Sequence, residues 1–352
     1  MRFVRKKLIR SFIKEESKIH KLRYLFWECT QRCNLSCMHC GSDCIKESQY
    51  PDMPIENFLK VLDDINSYPH EMITVNITGG EPLLRNDLEK CGYEIRKRGF
   101  RWSIVTNGFA YTIDRHISLM NAGMGAATLS LDGLEENHNW LRKHPDSFNK
   151  ALEAMRLLNR EKRLNFDVVT CVNQRNIKEL ESLYQFLKQE GLKAWRLFTI
   201  APIGRASNHS ELTLSGEQIQ YLWSFIAQKR KESTMEINFS CEAWAGKLDH
   251  KIRDGFFFCR AGIHIGSVLI DGSIGACPNI DRAFVQGNIY TDHFMEVWNN
   301  KFNLYRDRSW MQKGICCSCE GLKDCQGGAF HLRKPGCEDP IMCHYKGLRT
   351  KD

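Results

Sequence analysis

The sequence predicts an α/β fold: a parallel sheet flanked by helices, followed by a small cysteine-rich region. Three observations predict it. After residue 23, short β-branched and aromatic runs alternate with helical stretches six times. Gly99, Gly123 and Gly191 sit where helices should stop. From about residue 235 the alternation ceases, and eight cysteines fall between 259 and 343. Strands are expected at Tyr24–Cys29, Ile73–Thr78, Trp102–Thr106, Ala126–Leu131, Phe166–Val172 and Ala194–Thr199. Helices are expected near Ile55–Asn66, Asp87–Arg98, Ile113–Ala122, Ser147–Arg160, Ile177–Gln189 and Ser215–Lys231. Asp271-Gly272 reads as a hairpin turn between Ser267–Ile270 and Ser273–Ala276. Periodicity alone allows either a doubly wound open sheet or a barrel. The expected division is a basic amphipathic helix at 1–23, the α/β unit at 24–234 and the cysteine-rich unit at 235–352.

Composition narrows the class. The chain has 352 residues, 42% apolar and 26% charged, enough for two domains with a sizeable core. No apolar run approaches the ~20 residues that span a bilayer. The basic start lacks the apolar core of a signal peptide. A cytoplasmic protein is therefore expected, in which 16 cysteines point to metal ligation rather than disulfides. Met1–Lys21 carries eight Lys and Arg, with Val4, Leu8, Ile9, Phe12 and Ile13 near helical spacing. The expected reading is a helix packed on the main unit with its basic face in water. A membrane-surface or acidic-partner helix is the alternative.

The chemistry centres on Cys33-Asn34-Leu35-Ser36-Cys37-Met38-His39-Cys40, where three thiols fall within eight residues. That spacing is uneven for one helix face and suits a loop around a compact metal centre. Iron–sulfur clusters take thiolates, usually four. Three local ones leave either a distant fourth ligand or an open iron. Structural zinc also accepts Cys and His, and His39 lies inside the stretch, so the motif alone leaves the two even.

Cys33-x3-Cys37-x2-Cys40, with Glu28 and Thr30 before it, resembles the signature of radical S-adenosylmethionine (radical SAM) enzymes. Asn34 and His39 agree. The resemblance implies a partial (β/α)6 barrel in which Cys33, Cys37 and Cys40 hold a four-iron, four-sulfur cluster. Its open iron would chelate S-adenosylmethionine. Reductive cleavage would give a 5′-deoxyadenosyl radical that abstracts a substrate hydrogen, the cofactor carrying the hard chemistry. A flavodoxin- or ferredoxin-type electron donor is implied. Barrel sites lie after the strands' C-terminal ends, and the other motifs fall there. Gly79-Gly80-Glu81-Pro82 resembles the family's GGE segment, which contacts the methionyl amine. By chemistry alone the glycines permit close backbone approach to a ligand, and Glu81 offers an acceptor. Thr106-Asn107-Gly108 resembles the family's TNG, and Ser130-Leu131-Asp132-Gly133 its SLDG. Ser130 and Asp132 become candidates for the ribose or methionyl end. Arg142 resembles an arginine that meets the cofactor carboxylate. Asn173 resembles a recurring cofactor-site Asn, and Pro202–Ala206 a segment whose backbone faces the adenine.

Cys259-x12-Gly272-x4-Cys277 and Cys316-x2-Cys319-x5-Cys325, then Cys337 and Cys343, resemble the SPASM domain of peptide-modifying and sulfatase-maturing members. That domain holds two auxiliary clusters; zinc is the generic alternative. The resemblance gives Cys316, Cys319, Cys325 and Cys343 to one cluster, and Cys259 and Cys277 to part of the other. The expected last ligand falls at Ala329, where Cys337 or Cys241 could substitute, so one or two auxiliary clusters are expected. Cys91 and Cys171 read as buried small hydrophobes.

The leading expectation is a radical, oxidoreductase-type enzyme acting on a peptide or protein side chain. A haem-pathway enzyme acting on a tetrapyrrole is the alternative, which the net charge of +8 suits. A zinc-bearing nucleic-acid or protein-binding module is the third reading. It leaves the strand-end motifs unexplained, so no nucleic-acid partner is expected. Sulfatase-maturing members carry Asp directly after the Cys corresponding to Cys277. Here Pro278 stands there, and no catalytic base is assigned.

Overall fold

The first strand, β1 (Tyr24–Thr30), lies inside a ten-stranded sheet rather than at its edge. A computed structural model describes residues 2–347, the side chains of Arg2 and Phe3 excepted; both extreme ends of the expected domain ranges lie outside the described residues. Strands β2 (Thr74–Gly79), β3 (Arg101–Thr106), β4 (Ala126–Ser130), β5 (Asn165–Val172), β6 (Ala194–Thr199) and β7 (Glu236–Phe239) follow β1 in order, all parallel. On the other side of β1 lie β8 (Ile265–Val268), β9 (Ser273–Gly275) and β10 (Gly287–Asn288). β7 and β10 are free edges, so the barrel is partial.

Between the strands run α2 (Ile55–Asn66), α3 (Leu88–Lys97), α4 (Ile113–Asn121), α5 (Glu135–Arg142), α6 (Ser147–Arg160), α7 (Leu180–Gln189) and α8 (Gly216–Glu232), preceded by α1 (Arg2–Ile19). Apolar periodicity explains the helices. In α2, Ile55, Phe58, Val61, Leu62 and Ile65 are buried on one stripe. Phe58 stacks on Trp27 of β1 at 4.4 Å. A capping box of Ser215 and Gln218 starts α8. Strands buried on both faces read as apolar runs, which made them visible in the sequence.

Three elements differ from expectation. α5 was not anticipated: its Glu-Glu-Asn-His-Asn-Trp-Leu-Arg sequence is polar, yet His138, Leu141 and Arg142 are buried. The sheet gains a seventh parallel strand at 236–239, and at 176–179 a tight turn precedes α7. The expected hairpin is present, its turn closed by Gly272 N–H donating to the Leu269 carbonyl at 2.9 Å. Its first strand pairs in parallel with β1, Tyr24 opposite Ile265 and Trp27 opposite Val268. The cysteine-rich region is thereby joined to the sheet. α1 packs on that region: Ile13 is buried with Phe258 and Ile263, and Lys6 and Arg10 reach Asp324 at 2.7 Å. Among the described residues no helix is long and apolar enough to cross a membrane.

Candidate active site

The cysteine loop leaves the carboxyl end of β1 and is clamped by the ends of other strands. At its entry, Thr30 Oγ1 donates to Asp52 at 2.6 Å and Arg32 pairs with the same carboxylate at 2.5 Å. Gly80 N–H donates to the Thr30 carbonyl at 2.8 Å and Glu81 N–H to the Arg32 carbonyl at 2.9 Å. A Cβ at Gly79 would stand 2.0 Å from the Thr30 oxygen, and one at Gly80 2.2 Å from the Arg32 oxygen. The close approach these glycines permit is therefore to the root of the cysteine loop. At the loop's far end, a Cβ at Gly204 would stand 2.5 Å from the Cys40 oxygen. Arg205 donates from its backbone N–H to the Cys40 carbonyl, from Nε to the Cys37 carbonyl at 2.8 Å, and from Nη1 to the Cys44 carbonyl at 2.9 Å. The sequence displayed Arg205 inside Pro202–Ala206 without revealing this clamp.

The sulfurs themselves meet donors. Asn107 Nδ2 bonds Asn34 Oδ1 at 2.9 Å and points at Cys33 Sγ from 3.9 Å. Arg142 Nη1 lies 3.6 Å from Cys37 Sγ. Burial pushes Cys33 up to about 12 and raises Cys37 too, so both ionise readily only beside a compensating cation. A hydrogen bond from Cys44 holds the Cys40 thiol below its usual range. Among the described residues, the one trio of ligand atoms mutually within 4.8 Å is His39, Asp132 and Cys171. No three cysteine sulfurs among the described residues are that close. Zinc–sulfur bonds of about 2.3 Å would set thiolates about 3.8 Å apart, so the donor set fits a larger cluster better than a single zinc ion.

The remaining candidates surround this loop. Glu81 is buried: one carboxylate oxygen accepts from Thr106 Oγ1 at 2.8 Å and Leu83 N–H at 3.1 Å, the other from Asn107 N–H at 2.8 Å. Burial raises this carboxyl against the pull of those donors. Ser130 is half-buried at the end of β4. Asp132 is fully buried, with one oxygen on Arg142 at 2.6 Å and the other accepting Cys171 N–H at 2.8 Å. Burial opposes its charge, but Arg142 and two histidines hold it below the usual carboxylate range. Asp132 thus orients Arg142. Asn173 is also buried, its side-chain oxygen accepting Arg175 N–H and Asn176 N–H, which shapes the turn after β5. Cys171 departs from the expected buried hydrophobe: it is half-buried on a cavity wall, within 4.8 Å of His39 and Asp132. Cys91 is fully buried as expected.

That cavity, of about 540 Å³, lies between the carboxyl edge of the sheet and the cysteine-rich region. His39, Ser42, Cys171 and Thr199 line one side; Pro278, Arg282, His331 and Arg333 line the other. Glu242, which no sequence signal marked, lines it as well and accepts from Thr199 N–H at 2.7 Å.

Two thiol groups lie in the C-terminal region. Cys316, Cys319, Cys325 and Cys343 enclose a small pocket of about 40 Å³ and lie within electrostatic reach of one another. Arg333 Nη2 lies 3.2 Å from Cys316 Sγ. Cys277 feels both Cys241 and Cys259. Phe330 N–H points at Cys259 Sγ from 3.5 Å, placing the fully buried Ala329 beside this second group. Cys337 is exposed and lines neither the pocket nor the cavity.

The model of the radical SAM superfamily matches residues 27–187, and that of the SPASM iron–sulfur cluster-binding domain matches residues 259–325. The chain belongs to the radical SAM superfamily and carries a SPASM domain. As a radical SAM protein it uses S-adenosylmethionine and iron–sulfur clusters. It is 26% identical over 323 residues to the AdoMet-dependent heme synthase of Methanosarcina barkeri (strain Fusaro / DSM 804), covering 87% of this chain and 90% of that one. It is 27% identical over 312 residues to the mycofactocin maturase MftC of Mycolicibacterium smegmatis (strain ATCC 700084 / mc(2)155), covering 87% and 77%. In fold it is similar to native anSMEcpe with bound AdoMet and Cp18Cys peptide, at a TM-score of 0.72, 20% identity and 94% coverage of each chain.

Proposed function

We propose that this radical SAM enzyme removes a hydrogen atom from a side chain of a peptide or protein lying in the cavity between the sheet and the cysteine-rich region. The charge of that cavity carries the reading. Glu28, Asp43, Glu242 and Asp281 face Arg282, Arg333 and Lys334. Arg282 is occupied by Glu28 at 2.9 Å and Asp271 at 3.1 Å. Arg333 spends its donors on the Gly327 and Glu338 carbonyls and on Cys316. Among the described lining residues, a tetrapyrrole bearing several carboxylates would meet Lys334 as the one Lys or Arg with no such partner, while a largely neutral polypeptide needs no cation cluster.

In this reading residues 24–234 form the catalytic unit and 235–352 the auxiliary one. Cys33, Cys37 and Cys40 hold the radical-generating cluster. Gly79, Gly80, Glu81, Asn107, Ser130, Asp132, Arg142 and Asn173 build the S-adenosylmethionine site, with Asp132 acting through Arg142. When bound, cluster and cofactor supply the 5′-deoxyadenosyl radical that takes the hydrogen. Cys316, Cys319, Cys325 and Cys343 hold one auxiliary cluster; Cys259 and Cys277, joined by Cys241, face a second. A flavodoxin- or ferredoxin-type donor supplies the electron.

The heme synthase likeness favours a second reading, a tetrapyrrole substrate, since it spans 90% of that relative. Anaerobically reconstituted protein separates the two. The peptide pool of the producing cell should accelerate cofactor cleavage and yield a peptide of altered mass, and iron coproporphyrin should do neither. Acceleration by iron coproporphyrin alone would replace the first reading with the second.

A further inference from the structure

A second concavity lies outside this site. It is a groove of about 1080 Å³ between α1 and residues 299–326. Its charge is one-sided. Arg10, Lys14, Lys18, Arg306, Arg308 and Lys323 line it, Arg10 paired with Asp324 and Lys18 with Glu15 from outside the lining, and Asp307 is the one carboxylate among its described lining residues.

The two arginines are fixed there without counter-charge. Arg306 donates to the Gly262, Asn299 and Trp298 carbonyls, and Arg308 to those of Tyr305 and Cys259. Neither forms an ion pair among the described residues. Burial lowers Arg306 to about 10, the mark of a cation with no carboxylate beside it. Lys14 and Lys323 are exposed and likewise unpaired among the described residues.

Between the cations stand amides: Asn299, Asn300, Asn303, Gln312 and Gln326. Each offers both donors and an acceptor, the complement of an extended peptide backbone. With the Arg306 and Arg308 donors already on carbonyls, the guanidinium groups add uncompensated charge, and the exposed ammonium groups of Lys14 and Lys323 are the ones placed to meet the carboxylates of an acidic motif. No Phe, Tyr or Trp lines the groove among the described residues, and His20 is its one ring there, so it lacks the run of stacking faces that single-stranded nucleic acids use. A concave channel also suits an extended segment better than a convex globular partner.

We propose that this groove binds an acidic, extended stretch of the polypeptide substrate, remote from the side chain being modified. The inference rests on the peptide reading above and adds where that peptide is held.

The test is fluorescence anisotropy on the full reconstituted chain. The probes are a labelled peptide of alternating Glu and Gly, its Gln–Gly counterpart and a single-stranded oligonucleotide. The Glu peptide should bind at least about tenfold tighter than the Gln peptide, with affinity falling as salt rises. The double variant Lys14→Glu, Lys323→Glu changes two exposed side chains and should retain the wild-type thermal midpoint. It should weaken the Glu peptide about tenfold or more. Equal binding by wild type and double variant, equal binding of Glu and Gln peptides, or tighter binding of the oligonucleotide would each overturn the inference. Turnover separates it from the reading beneath. A double variant that modifies the natural peptide with unchanged KM removes the groove and leaves the peptide substrate standing. A groove that binds the Glu peptide in an enzyme turning over only iron coproporphyrin removes the substrate reading instead.

Discussion

The two best-defined thiol groups are held by opposite means. Cys33, Cys37 and Cys40 lie on a loop locked by side chains and backbone from four other strand ends: Gly80 after β2, Asn107 after β3, Arg142 beyond β4 and Arg205 after β6. Behind it stands a core whose strands contribute fully buried Leu25, Trp27, Ile77 and Ile104. Around Cys316, Cys319, Cys325 and Cys343 the regular elements are single turns, such as Gly314–Cys316, Leu322–Cys325 and His344–Gly347. Phe330 gathers Phe284, Tyr305 and Trp310 at 4.6–5.5 Å, and Arg333 ties the Gly327 and Glu338 carbonyls. The first group is organised by burial that exists without metal. The second has little backbone ladder and depends more on ligation for its order.

The largest expected effect breaks the pair apart. A Cys33/Cys37/Cys40→Ala variant should lose cofactor cleavage altogether while retaining iron at the C-terminal sites. A Cys316/Cys319→Ala variant should lose iron yet still yield 5′-deoxyadenosine. Iron counting and product assay read both, and loss of cleavage in the second variant would show that the groups are not independent.

Glycines sharpen the contrast next. At Gly80 an added Cβ meets the Arg32 backbone oxygen at 2.2 Å, and that oxygen is already held by the Glu81 N–H at 2.9 Å, so the loop root has little room to give way. Gly80→Ala should cost about 3 kcal/mol or more and strip the N-terminal iron. Gly336, at φ +74°, has nothing within 4 Å of such a Cβ. Gly336→Ala should cost only the backbone strain, about 1 kcal/mol. Equal midpoints in denaturant for the two variants would refute the difference in packing.

Metal removal follows. Chelating the iron should speed amide exchange across residues 309–347 while β1 to β6 stay protected. Uniform loss of protection would mean that the sheet, too, needs its cluster.

What the sequence showed of this contrast follows from range. The six strands and their helices were legible because a two-sided sheet demands local apolar runs. The cysteine loop and the motifs at strand ends were legible as short patterns. The clamps were not: Arg205 and Cys37 are 168 residues apart. Nor was the burial of Asp132 against Arg142, since a local pattern does not say which carboxylate faces a ligand and which faces an arginine. α5 was hidden by its polar sequence, because its apolar contact is made by two adjacent residues, Leu141 and the partly buried Trp140, with no helical repeat. Cys171 has no local feature to tell a cavity wall from a core.

The smallest effect concerns pH. His138 Nδ1 accepts the Asp132 N–H at 3.0 Å, which requires the neutral ring. Burial, then the Arg142 charge, push its pKa down to about 3. The folded value lies below the unfolded value of about 6.5, so the unfolded chain binds the extra proton between them. Stability should therefore fall as pH drops below about 6.5, by up to about 1.4 kcal/mol per unit from this one ring. His138→Asn places an amide oxygen where Nδ1 accepts and cannot titrate, so its stability should change less steeply between pH 7 and 5. Burial lowers His331 to about 4 in the cysteine-rich region, which adds a slope of the same sign there. Site-resolved exchange at the two pH values separates the rings. The variant should lose the acid sensitivity of β4 and β5 and keep that of residues 329–333. If both segments respond as in wild type, the slope comes from neither the Asp132–His138 bond nor the sheet side of the comparison.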